Sequence, residues 1–130
     1  MAQTILYLEN QEPINNPNIE NIKLALDMIN GSEYTMIELT CVNKGTLMVV
    51  GGNNNKVMVT FIPEDVEKDS PSLADKTQDD FEEWELTFEG ETVTYPARFC
   101  ISKEMALIAL DRFLMSGKID NDLDWEVAYL

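Results

Sequence analysis

Short apolar runs alternate with turn-forming residues along the first half of the chain, and this pattern predicts strands. Residues 4–9 are β-branched and aromatic and predict the first strand. Three later runs, at residues 34–43, 46–50 and 56–62, are rich in Val, Ile and Thr and predict an antiparallel meander. The segment GGNNN at 51–55 separates the last two runs. We interpret it as a plain turn because Gly and Asn tolerate positive φ, although five such residues also suit a binding loop.

Apolar residues spaced by three and four positions predict two helices. The first follows Asn16, which we expect to cap it, with Pro17 in the first helical position. The second covers residues 103–116, with Ser102 as its cap and Gly117 stopping it in a left-handed conformation. One face of each helix should pack on a sheet. The residues of these faces are Ile19, Ile22, Leu26 and Ile29 in the first helix and Ala106, Ala109, Leu110 and Phe113 in the second.

Between the meander and the second helix, the pattern predicts a loop and a hairpin. Residues 63–80 hold Pro, Ser and charged residues without an apolar period, which predicts one long loop with a functional or mobile role. Residues 83–88 and 91–97 flank Glu89-Gly90 and predict a second hairpin.

The order of elements predicts the fold class. A strand and a helix come first, a run of strands follows, and a helix comes near the end, which is typical of an α+β fold. We expect one domain over residues 1–130, with a single antiparallel sheet of about five to seven strands and two helices packed on it. The end of the chain is apolar, so Trp125 and Tyr129 should dock on this domain.

Charge narrows the choice of partners. The chain has 24 Asp and Glu residues against 9 Lys and Arg, no His, and a net charge of −15. Binding to nucleic-acid phosphates or anionic membranes relies on basic residues, so we expect neither partner. A basic protein would be attracted, although net charge also serves simply to keep a small protein soluble and monomeric. With no membrane-spanning run and no signal-peptide pattern, we expect a cytoplasmic monomer or weak dimer.

The residue types also limit the possible chemistry. The lack of histidine excludes Ser-His-Asp and Cys-His catalysis and His-containing zinc sites. No nucleophile elbow, phosphate-binding loop or dinucleotide fingerprint is present. We therefore predict a protein that is not an enzyme and needs no cofactor. A hydrolase that uses a carboxylate pair stays open as an alternative, since an acidic chain contains many such pairs by chance.

Two further groups of residues have ordinary structural interpretations. Asp120, Asp122 and Asp124 alternate as at the start of a calcium loop, but Trp125 stands where that loop needs glycine, so we interpret them as a solvated helix end without a metal. The two cysteines, Cys41 and Cys100, lie in apolar runs far apart and predict buried reduced thiols.

The strongest anomaly is the acidic segment, residues 64–91. It holds twelve acidic residues and two lysines, a net charge of −10 out of the chain's −15. Such dense like charge costs stability, which favours a functional origin. Trp84 stands among these acids and is interpreted either as an anchor for a cationic protein or as a core residue of a strand with a solvated acidic face. The residues predicted to bind a partner are Asp75, Asp79, Asp80, Glu82, Glu83, Trp84, Glu85, Glu89 and Glu91.

About the last quarter of the chain resembles a known protein family. The run FCISKE at 99–104, a helix with Ala109 and Phe113, and LDWE at 123–126 together resemble immunity-protein family one of bacterial polymorphic toxin systems. In that family a last strand passes through a capping serine into a helix, and a tryptophan follows near the C-terminus. Ser102 and Trp125 match this pattern, and both are expected to be structural.

The resemblance implies a cytoplasmic antitoxin that binds and neutralises a cognate toxin C-terminal domain, often a nucleic-acid deaminase. A toxin that acts on nucleic acid tends to present a basic groove, which an acidic inhibitor can occupy in place of phosphate. We therefore predict an immunity protein that blocks the active site or substrate entry of a deaminase or nuclease. The alternatives are an acidic adaptor or inhibitor of another basic protein and a carboxylate-based hydrolase.

Overall fold

The computed structural model describes residues 3–78 and 81–127, which form ten strands and two helices. The elements in chain order are β1 (Thr4–Leu8), β2 (Ile14–Asn15), α1 (Ile19–Met28), β3 (Met36–Cys41), β4 (Gly45–Gly51), β5 (Lys56–Pro63), β6 (Ser72–Ala74), β7 (Glu83–Phe88), β8 (Glu91–Pro96), β9 (Ile101–Ser102), α2 (Lys103–Ser116) and β10 (Asp124–Glu126). Short 3₁₀ turns precede β5 and β9.

The strands divide into two sheets. Eight of them form an antiparallel sheet ordered β10-β6-β5-β4-β3-β1-β2, with β9 also pairing with β5. Strands β7 and β8 form a separate two-stranded sheet. The α+β class and the two helices are confirmed, but the prediction of one sheet with about five to seven strands is wrong in detail. Four strands, β2, β6, β9 and β10, are only two or three residues long, too short to produce a visible alternation.

The main core lies where both helices meet the central meander β3–β4–β5. Alternate residues of β4 are buried, and Leu47 and Val49 are fully so. The helices contribute Ile22, Ala25, Leu26, Ala106, Ala109, Leu110 and Phe113 to the same cluster. The ring of Phe113 meets that of Phe61 edge-on, with centroids 5.9 Å apart. Since each large buried side chain contributes about 1.5–3 kcal/mol, this core is the stable scaffold of the domain.

Helix α1 begins two residues later than predicted. The side chain of Asn18 accepts from the N–H of Asn21 at 2.9 Å, and the side chain of Asn21 accepts from the N–H of Asn18 at 2.9 Å, so the two asparagines form a reciprocal cap. Asn16, the predicted cap, has a φ of 50° and accepts from the N–H of Thr4 at 3.2 Å. It therefore serves the first strand, and Pro17 precedes the helix.

Helix α2 has the predicted bounds and caps. The Oγ of Ser102 accepts from the N–H of Met105 at 3.2 Å, and Gly117 closes the helix with a φ of 71°. The Nζ of Lys103 donates to the carbonyl of Ile29 at 2.7 Å, which ties the start of α2 to the end of α1.

The predicted loop over residues 63–80 contains a strand. Leu73 and Ala74 of β6 are fully buried, and the hydroxyls of Ser72 and Thr60 lie 2.8 Å apart. The strand is three residues long and lies between β5 and β10, so it is held by tertiary pairing. The prediction of one uninterrupted loop is therefore wrong.

The segment after α2 returns to the sheet through β10. Trp125 pairs with Leu73 of β6, and its indole N–H donates to the carbonyl of Asp120 at 3.0 Å. The predicted docking of Trp125 is confirmed, whereas Tyr129 lies outside the described residues.

Candidate partner-binding surface

Strands β7 and β8, which we call the acidic hairpin, cover part of the main sheet with one face. Leu86 of β7 is buried in a second core with Met58, Ala74, Phe99 and Cys100. Because side chains alternate along a strand, Glu83 and Glu85 point away from the face that carries Leu86, and both are exposed. The hairpin therefore has an apolar inner face and an acidic outer face.

The second core also defines the chemistry of Cys100. Burial disfavours the thiolate and raises the pKa of Cys100 to about 11, with Lys56 acting weakly in the opposite direction. Both Cys100 and Cys41 are free thiols and buried. At neutral pH the Cys100 thiol is protonated, so it is a packing residue and a poor nucleophile.

Most of the predicted partner-binding acids are brought together on the hairpin. Five of them are exposed on its strands, at its turn or directly before it: Glu82, Glu83, Glu85, Glu89 and Glu91. None of the ion pairs formed between described residues involves these five. Asp79 and Asp80 lie outside the described residues, so their predicted role stays a prediction.

Asp75 lies apart from the hairpin, in the turn after β6. Its carboxylate accepts from the hydroxyl of Thr77 at 2.6 Å, from the N–H of Thr77 at 3.0 Å and from Gln78 at 3.4 Å. The hydroxyl of Thr77 is the main cause that lowers the pKa of Asp75, against a smaller opposing effect of burial. Asp75 thus organises its own turn.

The tip of the hairpin is fastened to the main domain. Glu89 and Gly90 have φ values of 51° and 83°, as a two-residue type I′ turn requires. The N–H of Glu89 donates to the hydroxyl of Thr35 at 3.1 Å, and that hydroxyl donates to the carboxylate of Glu9 at 3.0 Å. The carboxylates at the tip are therefore displayed from a held backbone.

The position of Trp84 agrees in part with the interpretation as a core residue, and its role as an anchor stays a prediction. Its side chain is half-buried and packs against the second core from the inner face of β7. The Nζ of Lys56 lies 4.8 Å from the centroid of the ring, within the range of a cation–π contact. The indole is thus held in place while part of it stays open to solvent.

A cavity of about 530 Å³ opens beside Trp84, between β7 and the GGNNN segment. Its lining residues are Asn53, Asn54, Lys56, Glu83, Trp84 and Glu85. The side-chain amide of Asn53 donates to the hydroxyl of Thr87 at 3.0 Å and accepts from the N–H of Thr87 at 2.8 Å. The sequence pattern did not link Asn53, Asn54 and Lys56 with the acidic residues, and its one signal was the unusual length of GGNNN.

The GGNNN segment is more specialised than the predicted plain turn. Asn53–Asn55 form a 3₁₀ turn in which Asn54 and Asn55 have φ values of 54° and 61°. Gly52 has a φ of 102°, and a Cβ there would lie 2.6 Å from the backbone of Ile29. Only glycine allows this close approach to the end of α1, and the following residue, Asn53, bonds to Thr87 of β7.

The aspartates near the C-terminus form a turn and ion pairs. Asp120 accepts from the N–H of Asp122 at 3.0 Å and lies 3.9 Å from Arg112, and Asp124 lies 3.6 Å from Lys76. Among the described residues, no group of three or more acidic or cysteine side chains is placed to hold a metal ion. Within the same residues, neither helix is long and apolar enough to cross a membrane.

Comparison with known proteins gives one result. The family model described as "Immunity protein Imm1" matches residues 10–127. This match extends the resemblance, which rested on the last quarter of the sequence, over nearly the whole chain and confirms it. A search of curated proteins found no significant match.

Proposed function

We propose that this chain, which belongs to the Imm1 family of immunity proteins, neutralises a cognate toxin domain by binding it through the acidic hairpin. The observation that carries the proposal is the cavity beside Trp84, whose lining includes the exposed residues Glu83 and Glu85. The protein acts in the cytoplasm by occupying the toxin, without a reaction of its own.

The charge of the hairpin favours a partner with a basic groove. Carboxylates that repel one another in the free protein gain favourable interactions when a basic surface meets them. A deaminase or nuclease that binds nucleic-acid phosphates offers such a surface. Occupation of that groove would block the active site or the entry of its substrate.

Trp84 supplies contact energy in the cavity that Glu83 and Glu85 also line. Tryptophan is enriched among the residues that contribute most to protein interfaces. Here its ring is held by the second core and by Lys56 before any partner arrives. Binding therefore costs little side-chain entropy at this position.

Co-expression with the C-terminal domain of the cognate toxin tests the proposal. The wild-type chain should restore growth, whereas Glu83→Lys with Glu85→Lys should abolish protection. Because electrostatic steering accelerates association by about 10-fold or more, the double variant should associate correspondingly slower at low salt. Both side chains are exposed, so circular dichroism and thermal unfolding should show an intact fold.

The matched control is Glu12→Lys with Asp122→Lys, which changes the net charge equally at two exposed positions off the hairpin. This control should protect cells and retain most of the association rate. Equal losses in both variants would mean that net charge alone is responsible. Full protection by the hairpin variant would show that the acidic hairpin is not the binding surface.

A further inference from the structure

Strand β8 has a long unpaired edge. It pairs with β7 and, within residues 3–78 and 81–127, with no other strand. Residues 91–94 are all exposed, which indicates that β8 projects beyond the main sheet. The edge strands of the main sheet are much shorter, with two residues in β2 and three in β10 against six in β8. Strand β7 is equally long, but at its outer edge the N–H of Thr87 already donates to Asn53. Of the two hairpin strands, β8 therefore offers the freer edge for pairing.

The hairpin register shows which backbone groups face this edge. Phe88 and Glu91 flank the two-residue turn and form its closing hydrogen-bonded pair. Hydrogen-bonded and non-hydrogen-bonded pairs then alternate, so Thr87 and Thr92 form a non-hydrogen-bonded pair. The N–H of Thr87 agrees with this alternation of pairs, since it donates to the side chain of Asn53 and not to β8. The N–H and C=O groups of Thr92 and Thr94 consequently point outward.

Residues 92–94 of this edge carry neither a charge nor a proline. Natural edge strands are blunted by lysine, proline, a bulge or a covering element. The exposed residues 92–94 are Thr-Val-Thr, and the only proline of the strand is Pro96 at its end. A hairpin alone is marginally stable, but this one is supported by the second core and by its fastened tip.

We infer that an extended segment of the toxin adds to β8 as an antiparallel third strand of the acidic hairpin. This inference rests on the proposed function and specifies how the hairpin engages its partner. The outward N–H and C=O groups of Thr92 and Thr94 each pair with the added strand, which gives up to four main-chain hydrogen bonds.

The flanking side chains define the character of the added segment. Thr94 lies opposite Glu85 on the outer face of the hairpin, so a residue added opposite Thr94 points to the same face as the carboxylates. A Lys or Arg there approaches Glu85 across two strand spacings of about 4.8 Å each. The neighbouring position faces Val93, which is 44% exposed and favours an apolar residue. The expected segment alternates basic and apolar residues.

A second copy of this chain is the less favourable occupant of the edge. Each chain carries a net charge of −15, and edge-to-edge pairing of two β8 strands would bring two acidic hairpins together. A basic toxin segment, in contrast, would reduce the repulsion among the carboxylates of one acidic hairpin.

Proline at position 94 tests the inference. Thr94→Pro removes an outward N–H that contributes nothing to the β7–β8 pairing, so the hairpin should persist. Affinity for the C-terminal domain of the cognate toxin should fall about 10-fold or more, as expected for the loss of one or two interface hydrogen bonds. The matched control Thr94→Val keeps the N–H and the branched shape and should bind like wild type.

Amide hydrogen exchange on the wild-type protein gives a second measurement that does not depend on the folding of a variant. Toxin binding should slow exchange at Thr92 and Thr94 by about 10-fold or more, while Val93, already paired with β7, should change less. Unchanged exchange at both threonines would overturn the inference. A non-covalent dimer of this chain that Thr94→Pro dissociates, without any effect on toxin binding, would also overturn it. If the wild-type chain neither protects cells nor binds the toxin domain, the proposed function fails and this inference falls with it. If the wild-type chain protects cells but the Thr94→Pro variant binds the toxin domain with unchanged affinity, only this inference is overturned and the proposed function stands.

Discussion

The two cores of this protein differ in size and in what they support. Within the described residues, the main core gathers nineteen buried side chains from the large sheet and both helices. The second core gathers five, beneath the acidic hairpin. Since the free energy of burial grows with the apolar area removed from water, most of the stability belongs to the main core.

This difference separates stability from binding. Five exposed acids, Glu82, Glu83, Glu85, Glu89 and Glu91, lie on or beside the hairpin over the small core, where their mutual repulsion acts on few packed residues. The large core therefore tolerates an unfavourable charge distribution elsewhere in the domain. Substitutions in the main core should change stability first, and substitutions on the hairpin should change binding first.

The largest effect is expected from Phe113→Ala in the main core. Phe113 is fully buried and contacts Phe61, so truncation should lower the free energy of unfolding by about 3–5 kcal/mol. Urea denaturation measures this loss. Ile108→Ala is the control on the same helix, since Ile108 is 48% exposed and should cost far less. Similar losses for both would contradict the assignment of stability to this core.

A smaller effect on stability and a larger one on binding are expected from Trp84→Ala. Loss of a central tryptophan typically weakens an interface by about 2 kcal/mol, or about 30-fold in Kd. Because Trp84 is half-buried, the free energy of unfolding should fall less than in Phe113→Ala. Calorimetric titration with the toxin domain and urea denaturation give the two quantities, and Trp84→Phe should retain part of the affinity. Unchanged affinity with lowered stability would make Trp84 a core residue only.

The smallest effect concerns the pKa of Asp75. The folded state lowers this pKa, so ionised Asp75 stabilises the fold above its unfolded-state pKa of about 3.9, and the stabilisation is lost as pH falls through the lower folded-state pKa. Thr77→Val removes the main cause and should raise the pKa toward its usual range. An NMR titration of the carboxyl carbon checks this, with Thr94→Val as the control. An unaltered pKa in Thr77→Val would show that the hydroxyl is not the cause.

Local signals in the sequence predicted some elements accurately and misplaced others. The bounds of α2, its Ser102 cap and its Gly117 stop agree with the structure because each depends on residues a few positions apart. The start of α1 was misplaced because Asn16 and Asn18 are equally good caps by residue type. Contact of Asn16 with Thr4 in the neighbouring strand decided between them.

The candidate site likewise has features that the sequence predicted and features that it did not. Sequence alone determined the α+β class, the two helices, the long strands, the hairpin and the concentration of charge in the acidic segment, since all of these are written in composition and short-range periodicity. Only the tertiary structure decided that Asn53 joins Thr87, that Lys56 lies over Trp84, and that the hairpin forms its own sheet. The physical reason is that these contacts join residues about 30 positions apart in the chain. They depend on the packing of the β7–β8 pair against β4 and β5, which a local pattern of residues does not predict.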